Sequence, residues 1–219
     1  MNRGSIRRGS LQKIWLVRHG QSDWNKSKRV SGQLDPELAV GGRAMAERLA
    51  MVLRNEPLDT IVTSTLQRSL GTALPIARNR NIKPRQVAAF AEQNLGIAQG
   101  RFRDQRDPEI MEHWRRRDAN RVGYRIPGGE TFAELHQRVI PALHELLAGG
   151  NGNTALLVGH RNSLRAALGH LLGWTMRESA SLRIRNKFVY EVTLKETLTV
   201  RSIRLKQDGL GTAYPGFLL

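Results

Sequence analysis

The chain contains no cysteine. That excludes disulfides, thiolate nucleophiles and zinc sites built on thiolates, so any covalent catalysis must use another side chain. Long apolar runs are also missing: nothing approaches the roughly 20 apolar residues of a membrane span, and no apolar signal-peptide core follows the N-terminus. Acids are scarce, 19 against 35 lysines and arginines in 219 residues. The formal net charge of +16 and pI near 11.4 make a surface that attracts anions, whether phosphorylated metabolites, nucleic acid or lipid headgroups. A soluble cytoplasmic protein with no membrane partner is expected.

A chain of this length buries the core of one domain, or of one domain with a modest lid. The opening "MNRGSIRRGS" holds three arginines and no acid. Residues 1–12 are therefore set aside as a basic disordered tail. The folded domain is expected over residues 13–206, and 207–219 reads as an irregular C-terminal tail.

Within the domain, short apolar runs alternate with longer stretches of helical period, the pattern of an α/β sheet covered on both faces. The runs "IWLV" (14–17), "TIVT" (60–63) and "ALLV" (155–158) read as buried strands, with a weaker fourth at "QVAAF" (86–90). Met45, Leu49, Val52 and Leu53 fall at helical intervals, as do Phe132, Leu135, Val139, Leu143 and Leu146. Thr131 with Glu134 predicts a capping box at the start of the second of these helices. "FVYEVTL" and "LTVRSIRLK" read as a terminal antiparallel pair. Residues 101–129 lack a clean period and carry eight arginines against five acids, which suits a lid or binding loop.

The three best strands end in Arg18-His19-Gly20, in "STLQR" with Arg68, and in Gly159-His160. Ligands of open α/β sheets sit at the carboxyl ends of strands. Guanidinium forks fit phosphate oxygens, and one histidine can act as a neutral nucleophile while another supplies a proton or charge. Phosphoryl transfer needs chiefly positioning and neutralised oxygens, so arginines can do here what a metal does elsewhere. Glu92, after the weak fourth strand, can protonate a leaving oxygen and then deprotonate water. Taken singly, each is an ordinary residue: a solvated strand cap, a structural histidine, a surface arginine. Their recurrence at three strand ends is what points to a site.

His113, His136, His144 and His170 show no metal-ligand spacing, so no metal is expected. Trp114 beside the arginine run is a candidate cover for a substrate. Nucleic-acid binding is the weaker alternative, because the basic residues are not interleaved with aromatics and no recognition motif occurs.

The stretches "RHGQSDWN", "SGQLDPELAVGG", "TSTLQRSLGTA", "AEQNLGIAQG", "PGGETFAELHQRV" and "LLVGHRNSLRAALGHLLG", in that order, resemble the histidine phosphatase superfamily, which includes the cofactor-dependent phosphoglycerate mutases. The resemblance covers about residues 14–194. It implies an α/β three-layer sandwich with a mostly parallel central sheet, phosphoglycerate mutase-like, with a small lid insertion. It makes His19 the nucleophile that becomes phosphohistidine, has Arg18, Arg68 and His160 hold the phosphoryl group, and makes Glu92 the acid and base. Asn25 and the Ser31-Gly32 pair match positions that bind phosphate or substrate.

"HRNSLRA" and "VYEV" are similar to the mutase branch, which puts Asn162 at a substrate contact. "HWRRRD" resembles the paired lid arginines of the mutases, giving Arg116 and Arg117, and Arg103 sits where they carry a lysine. Against the mutase, Leu95 replaces a tyrosine, and the segment between "WRRRD" and "PGGET" is shorter than theirs. A short lid admits water, which makes hydrolysis of a small phosphorylated metabolite the first expectation, without metal or cofactor. The alternative is a mutase using 2,3-bisphosphoglycerate as cofactor, and a catalytically inactive scaffold is a third reading; a homodimer is compatible with each. Arg161 stands where the family usually has glycine, a costly exchange if the backbone there needs a positive φ.

Overall fold

The computed structural model describes residues 11–149, 152–206 and 209–215. Residues 1–10 of the expected tail lie outside the described residues, but Leu11 and Gln12 belong to the domain. Leu11 is buried, and the Gln12 N–H donates to the Asn153 carbonyl at 2.8 Å.

The described residues form seven strands: β1 (Lys13–Arg18), β2 (Thr60–Thr63), β3 (Arg85–Gln86), β4 (Thr154–Gly159), β5 (Phe188–Thr193), β6 (Thr199–Lys206) and β7 (Gly209–Pro215). Between them lie helices α1 (Asp23–Lys26), α2 (Val40–Leu53), α3 (Gln67–Arg80), α4 (Pro108–Ala119), α5 (Phe132–Ala148), α6 (Arg161–Leu171) and α7 (Met176–Ser181). The strands make one sheet in the order β3-β2-β4-β1-β5-β6-β7. Pairing is parallel from β3 to β1 and antiparallel from β1 to β7, so the sheet is mixed and the mostly parallel expectation describes one half of it.

Alternation along the central strands explains the three layers. Ile14 and Leu16 of β1, with Ala155 and Leu157 of β4, face the cluster built on α5 and α6. Trp15 and Val17, with Leu156 and Val158, face the cluster built on α2 and α3. Successive strand side chains point to opposite faces, so strands apolar throughout must be covered on both sides. The expected capping box opens α5, with the Thr131 hydroxyl accepting from the Glu134 N–H at 3.1 Å. Among the described residues no helix is long and apolar enough to cross a membrane.

Two expectations need correcting. "QVAAF" is not a full strand: only Arg85 and Gln86 pair with β2, and Ala88–Phe90 turn as a 3-10 helix that buries Phe90 in the core. The expected irregular tail of residues 207–219, of which 207–208 and 216–219 lie outside the described residues, is a strand where it is described: Gly209–Pro215 form β7 on the sheet edge against β6. Its sequence "GLGTAYP" carries no apolar alternation, and the pairing rests on the neighbouring strand.

The segment 101–129 has α4 as its core, and Arg103, Trp114, Arg117 and Arg121 from it line one cleft with Arg18 and His19 at the end of β1. The Asp107 carboxylate caps α4 by accepting from the Ile110 N–H, and Pro108 occupies the first turn. Beneath it lies a separate small cluster of Val30, Leu95, Ala98, Ile110 and Ile126. The lid's return stretch presses on the loop below: a Cβ at Gly96, where φ is +50°, would lie 2.0 Å from the Pro127 carbonyl.

Candidate active site

Register brings the two histidines together. Arg18 pairs with Gly159 across the parallel β1–β4 ladder, and the His19 N–H donates to the Gly159 carbonyl at 2.9 Å. His19 and His160, the next residues, therefore leave adjacent strand ends with ring centroids 5.0 Å apart. The glycine after His19 is required by contact: a Cβ on Gly20 would lie 2.6 Å from the Gly42 carbonyl in the first turn of α2.

His19 has one ring nitrogen engaged and the other available. Its Nδ1 lies 2.7 Å from the Gly20 carbonyl, which can only accept, so Nδ1 carries the proton and Nε2 keeps its lone pair. Burial, then the charges of Arg18 and Arg68, hold its pKa well below the ordinary 6.5, and the ring is neutral near pH 7. His160 lies behind it, fully buried, with Nε2 2.7 Å from the Ser64 hydroxyl and Nδ1 without a partner. Its pKa is also held well below 6.5, by burial first and Arg68 next.

A cleft of about 290 Å³ opens over His19, lined by seven arginines and only two acids, Glu92 and Asp118. Arg68 is buried and braces the 32–35 loop, donating to the Gly32 carbonyl at 2.6 Å and the Leu34 carbonyl at 2.7 Å. Burial and the nearby Arg161 pull the pKa of Arg18 down to about 9, and the same two causes bring Arg165 to about 9. Both stay charged at neutral pH. Around this cleft the nitrogens Nε of Arg18, Arg68 and Arg117, Nδ1 of His160 and the Ser31 hydroxyl are buried without partners. Buried polar atoms left unpaired are costly, and those of Arg18, Ser31, Arg68 and Arg117, all in the cleft lining, are what an anion with several oxygens would satisfy.

Glu92 is held at the opposite side by backbone: its Oε1 accepts from the Gln93 N–H at 2.9 Å and from the Asn162 N–H of α6 at 3.1 Å. Arg138 fixes that loop, donating to the carbonyls of Ala89, Ala91 and Glu92 while paired with Glu130 at 2.7 Å. Arg138 carries no sequence signal for this role, since the groups it holds in that loop are backbone carbonyls.

Of the remaining candidates, Asn25, Ser31, Gly32, Arg103, Arg117 and Asn162 line the cleft. Arg116 does not: it is exposed and donates from Nε to Glu112 at 2.9 Å. Consecutive helical residues point about 100° apart, so Arg116 and Arg117 cannot share a face. Arg121, in the turn beyond α4, lines the cleft in its place, and no helical spacing in the sequence marks it. Arg165, four residues after Arg161, was missed as well. Trp114 lines the cleft beneath two guanidiniums, 5.6 Å from that of Arg103 and 5.2 Å from that of Arg117. Arg161 opens α6 in helical conformation and is absent from the positive-φ residues, so it sits there without backbone strain. Among the described residues no group of three or more histidines and acids is placed to hold a metal ion.

The chain is 35% identical over 188 residues to "Probable phosphoglycerate mutase GpmB" of Yersinia enterocolitica, covering 85% of this chain and 87% of that protein. The alpha-ribazole phosphatase from Shigella flexneri shares the fold, with a TM-score of 0.78 at 20% identity over 91% of this chain and 98% of that one. A mycobacterial glucosyl-3-phosphoglycerate phosphatase solved with VO3 gives a TM-score of 0.77 at 26% identity over 87% of this chain and 96% of that one. The sequence profile of the histidine phosphatase superfamily (branch 1) matches residues 14–202. The chain belongs to the histidine phosphatase superfamily, among whose members are phosphatases and phosphoglycerate mutases.

Proposed function

We propose that the protein is a phosphatase: it transfers the phosphoryl group of a small phosphomonoester to His19 and then to water, in the cytoplasm and without a metal. The observation that carries this is the neutral His19, with Nδ1 tied to the Gly20 carbonyl and Nε2 free in a cleft of arginines. In the first step Nε2 attacks phosphorus, the bond from phosphorus to the ester oxygen breaks, and that oxygen leaves with a proton from the Glu92 carboxyl. Arg18 and Arg68 neutralise the phosphoryl oxygens, and the neutral His160 beside His19 orients the group. In the second step the Glu92 carboxylate takes a proton from water, whose oxygen attacks phosphorus as the bond to Nε2 breaks. Inorganic phosphate departs, and His19 and Glu92 return to their starting states.

Asn25, Ser31, Gly32, Arg103, Arg117, Arg121 and Asn162 hold the substrate. Leu95 on the cleft wall offers no hydroxyl to a phosphoglycerate, and a lid with one principal helix leaves water access to phosphohistidine; both favour hydrolysis. The mutase with 2,3-bisphosphoglycerate as cofactor is the second reading, favoured by the 35% identity to the GpmB protein. A phosphate-release screen over phosphorylated metabolites, run beside a mutase assay with and without 2,3-bisphosphoglycerate, separates them. Release without isomerisation is expected; cofactor-stimulated isomerisation would overturn the phosphatase.

A further inference from the structure

A second basic hollow, of about 450 Å³, adjoins the cleft, and Arg18 and Arg161 line both. Its far side is built by Arg185, Lys187 and Phe188 at the start of β5, by Arg204 of β6 and by Tyr214 of the edge strand β7. Five cationic side chains thus line it, and among the described residues no carboxylate does. Arg185, Lys187 and Arg204 are exposed, and none forms an ion pair with an acid among the described residues.

The hollow is built, not a chance gap between mobile side chains. The Tyr190 hydroxyl accepts from the Arg185 N–H at 2.9 Å and donates to the Arg183 carbonyl at 3.1 Å, which pins the loop ahead of β5. The Leu205 N–H donates to the Lys187 carbonyl at 2.9 Å, tying the same loop to β6. The Arg185 guanidinium lies 5.9 Å from the Phe188 ring. Arg18, at the junction, is 8% exposed, has an unpartnered Nε, and spends only one long contact, 3.4 Å, on the Ile184 carbonyl. It has donors to spare between the two hollows.

A phosphoryl group at His19 engages Arg18 and Arg68 but leaves the cations at 185, 187 and 204 without an anion, since they do not line the first cleft. We infer that the second hollow is a subsite for a second anionic group of the substrate, phosphate or carboxylate, with Arg161 bridging the passage. Building on the phosphatase reading, the substrate is a phosphomonoester anionic at both ends, long enough to pass Arg161. The lid arginines Arg103 and Arg121 are the competing location for that second anion.

Binding of non-hydrolysable probes tests this apart from turnover. Alkane α,ω-bisphosphonates of graded length, and ω-phosphonocarboxylates of the same lengths, are titrated into the full chain by calorimetry at constant low salt, against alkyl monophosphonates. At one or more lengths a doubly anionic probe is expected to bind about 10- to 100-fold more tightly than its monophosphonate, the worth of one or two charge-assisted contacts. The carboxylate and phosphonate arms show which anion the subsite takes. In Lys187→Ala/Arg204→Ala, and in the bulk-preserving Lys187→Gln/Arg204→Gln, most of that preference is expected to vanish. No preference at any length would overturn the inference. So would a preference that survives both double variants and disappears in Arg103→Ala/Arg121→Ala. A preference in a protein that never phosphorylates His19 would keep the subsite and defeat the phosphatase reading.

Discussion

His19 sits at the end of a strand flanked by strands, whereas Arg117 rides on one 12-residue helix whose Ile110 packs with four other buried apolar side chains. The first wall is fixed by backbone: ladder register, the Gly159 carbonyl, the Gly20–Gly42 contact. The second is fixed by side chains: Arg117 reaches Gln93 at 3.0 Å, and Trp114 stacks beneath two guanidiniums. Rigid positioning serves the reacting atoms, and a small separable cluster leaves recognition free to vary. The strand wall should therefore govern kcat and the lid wall KM.

The largest break comes at the strand wall. His19→Ala should lower kcat by about four orders of magnitude or more, as removal of a nucleophile does, with an unchanged melting curve as the control. Glu92→Gln should cost about 10²- to 10⁴-fold on alkyl phosphates. The loss should be much smaller on p-nitrophenyl phosphate, whose leaving group needs no proton; equal losses would mean Glu92 is not the acid.

Inorganic phosphate should engage the unpaired donors and stabilise the fold. At about 100 times its dissociation constant the gain is about 2.7 kcal/mol, read as a rise in Tm of about 5–10 °C. On the lid, Arg117→Ala and Arg121→Ala should each raise KM about tenfold while kcat changes little. A fall in kcat at constant KM would erase the proposed division between the walls.

The gentlest effect is on pH dependence. Above pH 6.5 the buried His19 and His160 are neutral whether the chain is folded or not. Below it the unfolded chain takes up protons that the folded one refuses, so stability should decline as pH falls from 6.5. In the same way, the acid limb of kcat/KM due to His19 should lie below 6.5. Urea titrations and rate profiles across that range check both.

The strand wall was legible because its signals are local. A short apolar run followed by Arg-His-Gly or Gly-His marks a buried strand and the residues at its end, and parallel register does the rest. The lid was less so: α4 buries only Ile110 and Arg117, leaving almost no apolar period to set its phase, and Arg116 was taken in place of Arg121. Glu92 was found through a strand that is only two residues long; its carboxylate is placed by the N–H groups of Gln93 and Asn162. β7 was missed because an edge strand owes its shape to its neighbour. The second hollow joins residues 18, 161, 185, 187, 204 and 214, which no sequence window brings together.

The most direct measurement is rapid quench of a phosphomonoester in H₂¹⁸O, with the tryptic peptide of residues 19–26 read by mass spectrometry under conditions that preserve phosphohistidine. The expected result is transient phosphate on His19, followed by inorganic phosphate carrying one ¹⁸O from solvent. Turnover with no phosphate on His19, or transfer of the group to a second alcohol instead of water, would contradict it.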